Sequence, residues 1–124
     1  MKVVETPLID ASVITVDKYE AERGFFMESF NIPKFLNEIG RYEFVQDNHS
    51  KSSKGVLRGL HYQLEKPQGK LMRCTQGAVY DVIVDLRKSS SSFGLWFNIT
   101  LDNPETIMWV PPGFAHGCYT LTDA

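Results

Sequence analysis

An all-β fold, a sandwich or barrel of the jelly-roll kind, is predicted by two features of this 124-residue chain. Short runs rich in β-branched and aromatic residues recur along it, each bounded by Gly, Pro, Asn, Asp or Ser, and only one stretch has helical character. About eight strands in a chain of this size favour one jelly-roll domain covering residues 1–124. The predicted strands are Val13–Val16, Tyr42–Asn48, Val56–Gln63, Leu71–Gln76, Val79–Leu86, Leu95–Leu101, Thr106–Val110 and Cys118–Leu121.

The single predicted helix follows Asn31, whose side chain can cap its first turn. Pro33 suits that first turn because its missing N–H has no intrahelical partner there, and Gly40 ends the helix. The apolar stripe of this helix is predicted to be Phe35, Leu36 and Ile39.

The charge and composition of the chain exclude several classes of protein. Thirteen Lys and Arg stand against 15 Asp and Glu, for a net charge of −2, so a nucleic-acid binder with a basic stripe is not expected. No apolar run approaches the roughly 20 residues of a membrane helix, and Glu5 and Asp10 interrupt any signal-peptide core. Cys74 and Cys118 form no disulfide framework. We therefore expect a cytoplasmic protein with reduced thiols.

The first candidate for chemistry is the strand segment around His61. On a regular strand His61 and Gly59 share one face and Arg58 points the other way, unless Gly59 introduces a bend or bulge. Lys70 follows the turn Lys66–Gly69, and lies across from His61 if that turn joins antiparallel neighbours. An imidazole base and a fixed ammonium suit proton abstraction beside a carbonyl. The alternative is that His61 is an ordinary strand histidine.

A second candidate is His116, held after the turn Pro111–Gly113; its alternative role is one hydrogen bond that pins the loop. Asp81 and Asp85 lie on the same face of an apolar strand, so each must be paired or face a cavity. Either one could orient a histidine or receive Arg or Lys. His61 and His116 have no third ligand at helpful spacing, so we expect no metal site.

Several segments together resemble one known family. Pro111–His116 resembles the second cupin motif, Pro-x-Gly-x-x-His. Nearly the whole chain, in one register, is similar to the dTDP-4-dehydrorhamnose 3,5-epimerase family. The segments that carry this resemblance are Glu22–Glu28, Phe44–Ser50, Lys54–Gln63, Gln68–Leu71, Gly94–Trp96 and Gly113–Gly117.

The resemblance implies a cupin jelly roll that forms a homodimer by exchanging N-terminal strands. It implies a dTDP-4-keto-6-deoxy sugar as substrate, inverted at C3 and C5 on the way to dTDP-rhamnose, with no metal or organic cofactor. His61 falls on the catalytic base and Lys70 on the lysine that stabilises the enolate. The implied substrate-binding residues are Arg23, Phe26, Glu28, Gln46, Asn48, Arg58 and His116. For Phe26 the alternative is a core position beside Phe25, as for the pair Trp96-Phe97.

The resemblance also implies a tyrosine proton donor on the strand after the His116 segment, beyond Ala124. We therefore expect a C-terminally truncated epimerase with weak or absent inversion. Tyr119 is odd-spaced from His116 and is expected to face away from it. Two alternatives are a non-catalytic cupin that binds nucleotide sugars and a related enzyme, either a single-centre epimerase or a 3,4-ketoisomerase.

Overall fold

The computed structural model describes all residues, 1–124, and confirms the all-β prediction with ten strands and one short helix. The single helix, with seven residues, is far too short to cross a lipid bilayer. The elements are β1 (Lys2–Glu5), β2 (Ser12–Thr15), β3 (Lys18–Ala21), β4 (Gly24–Met27), α1 (Ile32–Glu38), β5 (Leu57–His61), β6 (Lys70–Arg73), β7 (Val79–Asp85), β8 (Trp96–Leu101), β9 (Thr106–Val110) and β10 (Phe114–Thr120).

Two four-stranded antiparallel sheets form the body of the fold. The first sheet has the strand order β1-β2-β9-β6 and the second has the order β5-β10-β7-β8, while β3 and β4 form a separate hairpin. Strands β5 and β6 are consecutive along the chain, yet each lies at the edge of a different sheet. Both therefore have one edge free of ladder hydrogen bonds. The site described below lies at these two edges.

The core between the sheets is built by alternate residues of the central strands. In β7 every second side chain is buried, as the period of a strand requires. Ile83 of β7 and Phe114 of β10 pack with Met108 and Val110 of β9 and with Leu8. Strand residues in register with Ile83, Phe114, Met108 or Val110 consequently point into the space between the two sheets. We call this side of each sheet its inner face.

The outer face of the first sheet is covered by an aromatic cluster. Trp109 of β9 is 1% exposed, and its ring lies 5.3 Å from that of Phe35 on α1 and 4.8 Å from that of Tyr42. Phe44 packs edge-on against Phe35 at 5.2 Å. Strand β9 is thus buried on both faces, which explains its continuous apolar sequence.

The predicted helix is confirmed at its first turn. The Asn31 side chain accepts a hydrogen bond from the backbone N–H of Lys34 at 3.1 Å. Only part of the predicted stripe is buried, since Phe35 is 2% exposed and Leu36 is 43% exposed. The helix is held to the sheet mainly by one aromatic ring.

Two other predictions are wrong. Residues Tyr42–Asn48 form no strand; their alternating aromatics pack onto Trp109 rather than into a ladder. The core position predicted for Phe25 and Trp96 is also wrong, because their side chains are 58% and 62% exposed. An aromatic residue in a strand favours burial, but whether its side chain is buried depends on which elements pack against that strand, and strand propensity does not give this packing.

A buried ionic network closes one end of β7. Asp85, fully buried, accepts hydrogen bonds from the hydroxyls of Ser90 at 2.6 Å and Ser92 at 2.5 Å and from the Arg87 guanidinium at 3.0 Å. Burial alone would raise the pKa of Asp85, but these hydrogen bonds outweigh it and hold the pKa far below the ordinary value. Arg87 also binds the exposed Asp10 at 2.8 Å. The network therefore joins the β7–β8 loop to the turn after β1.

Replacing Asp85 should destabilise the fold strongly. Asp85→Ala leaves Arg87 without its buried partner, and we expect the free energy of unfolding to fall by roughly 3–5 kcal/mol. The matched control Asp10→Asn removes the charge of an exposed partner of the same arginine, at a left-handed φ of +71° that asparagine tolerates, and should cost about 1 kcal/mol or less. Because the pKa of Asp85 is lowered on folding, its contribution is complete at neutral pH and is lost as pH falls below about 4. The measurement is the melting temperature of both variants between pH 3 and 7. Equal losses of stability in the two variants at neutral pH would contradict the prediction.

Candidate active site

His61 and His116 lie side by side on the inner face of the second sheet. In the pairing of β5 with β10, His61 is opposite His116 and Arg58 is opposite Cys118. From Arg58 to His61 the chain advances three residues, whereas the partner strand advances only two, from Cys118 to His116. One extra residue in one of two paired strands is a β-bulge. The extra residue turns Arg58 onto the same face as His61, so the bend predicted at Gly59 is confirmed.

Two glycines allow the backbones to meet at this bulge. Gly59 has a φ of +86°, and a Cβ there would lie 2.6 Å from the carbonyl oxygen of His116. A Cβ at Gly117 would lie 2.7 Å from the carbonyl oxygen of Arg58. Neither position has room for a side chain, and Gly59 also needs the left-handed conformation that glycine adopts freely.

Lys70 faces the same interior from the first sheet. It is in register with Val110, and Met72, two residues on, is in register with Met108. Val110 and Met108 belong to the core between the sheets, together with Ile83, the β7 partner of His116. Lys70 therefore lies on the inner face of the first sheet, and the two histidines lie on the inner face of the second sheet, which packs against it.

The condition under which Lys70 would lie across from His61 in one ladder is not met. The turn Lys66–Gly69 does not join paired strands, because β5 and β6 belong to different sheets. Lys70 and His61 consequently lie on edge strands of two different sheets rather than opposite each other in one ladder.

His116 is fixed by a buried carboxylate. Its Nε2 lies 2.6 Å from Oδ1 of Asp81, a residue with no exposed surface. Oδ2 of Asp81 is also buried and has no hydrogen-bond partner. The prediction that Asp81 must be paired is confirmed, and His116 is an oriented side chain rather than a free one.

Arg58 and Asn48 line a cavity of about 290 Å³ that runs along the free edge of β6. Arg58 donates two hydrogen bonds to the Ser52 hydroxyl, from Nε at 3.1 Å and from Nη2 at 2.9 Å, and makes no ion pair. Gln46 donates to the Asn48 side chain at 3.1 Å. Their placement agrees with a polar ligand site beside the histidines, although Gln46 and Asn48 lie on an irregular segment rather than on the predicted strand.

The N-terminal hairpin places the remaining predicted residues elsewhere. Arg23 lies in the turn between β3 and β4, and Phe26 on β4 is 72% exposed, so its alternative role in the core is wrong. Glu28 forms an ion pair with Lys34 at 2.8 Å, and this hydrogen bond lowers its pKa. Phe26 and Glu28 line a separate cavity of about 180 Å³. Within one copy of the chain, these three residues do not join the histidines.

Tyr119 faces away from His116, as predicted. It is in register with Leu57 and Tyr80, whereas the inner-face residues of β10 are those in register with Asp81 and Ile83. Tyr119 is 41% exposed on the outer side of the second sheet. Neither Tyr80 nor Tyr119 is thus placed to donate a proton to a ligand between the sheets.

These positions define a site for acid–base chemistry on a polar anion. One exposed imidazole can exchange a proton, one half-buried ammonium can stabilise an oxyanion, and one unpaired guanidinium can hold a phosphate. No three His, Cys, Asp or Glu side chains are grouped closely enough to hold a metal ion.

The position of Lys70 depends on the glycine before it. A Cβ at Gly69 would lie 2.5 Å from Cη2 of Trp109, whose ring is packed in the aromatic cluster and cannot move. Gly69 has no left-handed φ, so its role is to leave room. We expect Gly69→Ala to cost about 1–3 kcal/mol of stability through overpacking and to displace Lys70. Trp109→Phe removes the clashing ring atoms, so Gly69→Ala should cost less stability in the Trp109→Phe background than in wild type, as thermal melts of the four variants would show. Unchanged stability in Gly69→Ala would contradict this.

The two-sheet fold, with two histidines and a lysine on its inner faces, defines a class: the cupin-fold enzymes. The model of the dTDP-4-dehydrorhamnose 3,5-epimerase family matches residues 5–124. The chain belongs to that family.

Known relatives agree over nearly the whole chain. A dTDP-4-dehydrorhamnose 3,5-epimerase of Shigella flexneri is 54% identical over 126 residues, which cover 99% of this chain and 70% of the relative. A solved 3,5-epimerase of Legionella pneumophila, in complex with dTDP-4-keto-L-rhamnose, is 44% identical with a TM-score of 0.94, covering 98% of this chain and 66% of that one. A 3'-monoepimerase of Streptomyces bikiniensis, in complex with dTDP-quinovose, is 30% identical with a TM-score of 0.87, covering 95% and 61%.

Proposed function

We propose that this chain acts on a dTDP-4-keto-6-deoxy sugar of the dTDP-rhamnose pathway, removing and returning the protons at C3 and C5 through an enolate. Inversion of these carbons also requires a proton donor on the opposite face of the ring, a role that neither Tyr80 nor Tyr119 is placed to fill. The observation that carries the proposal is that His61 and Lys70 lie on the inner faces of the two packed sheets, His61 on β5 and Lys70 on β6. The family of the chain and the ligand of the Legionella relative support the substrate class. The free thiols of Cys74 and Cys118 support a cytoplasmic place of action.

The chemistry follows from the ketone at C4. Carbons 3 and 5 both flank this carbonyl, so loss of a proton from either one places negative charge on the same oxygen. A single base and a single cation can therefore serve both centres. His61 is exposed and makes no hydrogen bond within the chain, so its imidazole is free to take the proton. Such proton transfer by a positioned base accelerates a reaction by about 10²- to 10⁴-fold.

The ammonium of Lys70 stabilises the enolate oxygen. Its backbone is fixed by the ladder to β9 and by the contact of Gly69 with Trp109, so little reorganisation accompanies the development of charge. The ketone itself acidifies the neighbouring C–H bonds, and the proposed steps therefore need no metal or organic cofactor.

Arg58 and His116 hold the ligand on either side of the base. The planar guanidinium of Arg58 matches the oxygens of a diphosphate in a bidentate manner. Asn48, supported by Gln46, adds a donor to the same cavity. His116 is oriented by Asp81 and can donate or accept a hydrogen bond at the sugar.

We propose further that the site is completed in a homodimer. Tyr19, Phe25 and Phe26 expose 64%, 58% and 72% of their surfaces on the β3–β4 hairpin, which makes an apolar patch that a second copy can cover. Exchange of the hairpin would carry Arg23 and Phe26 to the partner's cavity. Light scattering on the purified chain should give the mass of a dimer, and a monomer at micromolar concentration would contradict this.

Solvent exchange tests the proposed function directly. The chain is incubated with dTDP-4-keto-6-deoxyglucose in heavy water, and deuterium at C3 and C5 is followed by NMR. Exchange requires only the base and the cation, so it reports on the proposed residues even where inversion is slow. We expect label at both carbons. Tight binding with no label at either carbon would favour a non-catalytic nucleotide-sugar-binding protein instead.

A single-centre epimerase is the second candidate, favoured by the likeness to the Streptomyces bikiniensis 3'-monoepimerase. It shares the base and the cation but reaches only one of the two carbons. The same NMR experiment separates the two functions, because a single-centre enzyme labels C3 and leaves C5 unlabelled.

A further inference from the structure

Arg73, the last residue of β6, has a buried polar atom that nothing in the chain satisfies. Its Nη1 is inaccessible to solvent and has no hydrogen-bond partner. Arg73 is also absent from the ion pairs of the chain. A buried, unpaired guanidinium N–H is costly. Such a group calls for an acceptor, and an anion is the strongest acceptor for a guanidinium.

Arg73 shares its cavity with a second arginine that makes no ion pair. The cavity of about 290 Å³ beside β6 is lined by both Arg58 and Arg73 and by the side chains of Ser50, Ser52 and Asn48. Asp47 is the one carboxylate side chain among its lining residues, so the two guanidinium groups outweigh it. Arg58 is bonded only to a neutral hydroxyl. Two cations that face one space repel each other until an anion lies between them. The cavity therefore has the donors and the charge of an anion site.

The cavity adjoins the base through β5. Arg58 is opposite Cys118, two residues along β10 from His116, and both Arg58 and Cys118 line the cavity. Arg73 is an odd step from Lys70, so its strand position is on the other face of β6. Residues of both faces of this edge strand line the cavity, which therefore includes Arg73. A diphosphate in this cavity would lie beside Arg58 and Arg73.

We propose that Arg73 is a second diphosphate-binding residue, which acts with Arg58 to clamp the phosphates of the nucleotide sugar. This inference rests on the proposed function, because it takes the diphosphate of that substrate as the anion. Arg58 would bind it from the second sheet and Arg73 from the first. The ligand would then hold together the two free sheet edges.

Calorimetric titration of dTDP into Arg73→Gln tests the assignment. Loss of a charge-assisted hydrogen bond should raise the Kd about 10- to 100-fold. In the exchange assay KM should rise while kcat stays near the wild-type value, because the arginine holds the ligand away from the reacting carbons. Arg73→Lys keeps the charge and should recover part of the affinity. Arg41→Gln, an exposed arginine outside the cavity, is the matched control and should bind as wild type does.

The result that overturns the inference is a dTDP Kd within twofold of wild type in Arg73→Gln. Should that variant not fold, the same result in Arg73→Met, which keeps the apolar stem and removes the charge, overturns it. The arginine would then be structural. This failure is distinct from failure of the proposed function, in which the wild-type chain itself gives no deuterium label.

Discussion

His61→Ala should reduce deuterium incorporation at C3 and at C5 by about 10²- to 10⁴-fold, the range expected for loss of a positioned general base. Both carbons should lose label in parallel, because one imidazole serves the two positions beside the ketone. The bulge at Gly59 places His61 on the inner face beside His116, and no other base on that face is as exposed. The measurement is the initial rate of label incorporation by NMR at saturating sugar nucleotide.

The stability of His61→Ala should differ from that of His116→Ala. His61 is exposed and unbonded, so His61→Ala should leave the free energy of unfolding within about 0.5 kcal/mol of wild type. His116→Ala leaves the buried carboxylate of Asp81 without its partner and should cost roughly 1–3 kcal/mol. Equal exchange rates in wild type and His61→Ala would show that His61 is not the base.

Lys70→Met should slow exchange by about 10²- to 10³-fold, as does removal of one donor to a developing oxyanion. Methionine keeps the length and apolar stem of lysine, so packing beside Val110 is preserved while the charge is lost. The loss should fall on kcat more than on KM, because the ammonium interacts more strongly with the enolate than with the neutral ketone.

Lys66→Met provides the control for the change of charge. Lys66 lies in the same β5–β6 connection and is exposed, so its loss should leave the exchange rate unaltered. An equal reduction in Lys66→Met would mean that the overall charge of the cleft, rather than the ammonium of Lys70, stabilises the reaction. A wild-type rate in Lys70→Met would contradict the enolate mechanism.

Local patterns predicted much of the fold because they depend on neighbours in sequence. The cap at Asn31, the strand Thr106–Val110 and the placement of Asp81 and Asp85 on one buried face all follow from side-chain type and strand period. The motif residues His61, Lys70 and Arg58 were also identified from the sequence. Their roles in binding and catalysis remain predictions.

Tertiary arrangement accounts for what the sequence did not predict. Strand propensity does not say which strands pair, so the sequence left open whether β5 and β6 are neighbours in one ladder; they lie at the edges of two sheets. Tyr42–Asn48 has the alternation of a strand but serves to cover Trp109. Arg73 carries no motif, and only its buried, unpaired Nη1 distinguishes it.

The structure of the His61→Asn variant in complex with a dTDP-4-keto-6-deoxy sugar tests the central claim most directly. We expect the C4 carbonyl oxygen to lie about 2.7–3.1 Å from Nζ of Lys70, with residue 61 beside the C3–C4–C5 edge of the ring and the diphosphate at Arg58. A sugar ring bound outside the gap between β5 and β6, or a carbonyl oxygen pointing away from Lys70, would contradict the proposed mechanism.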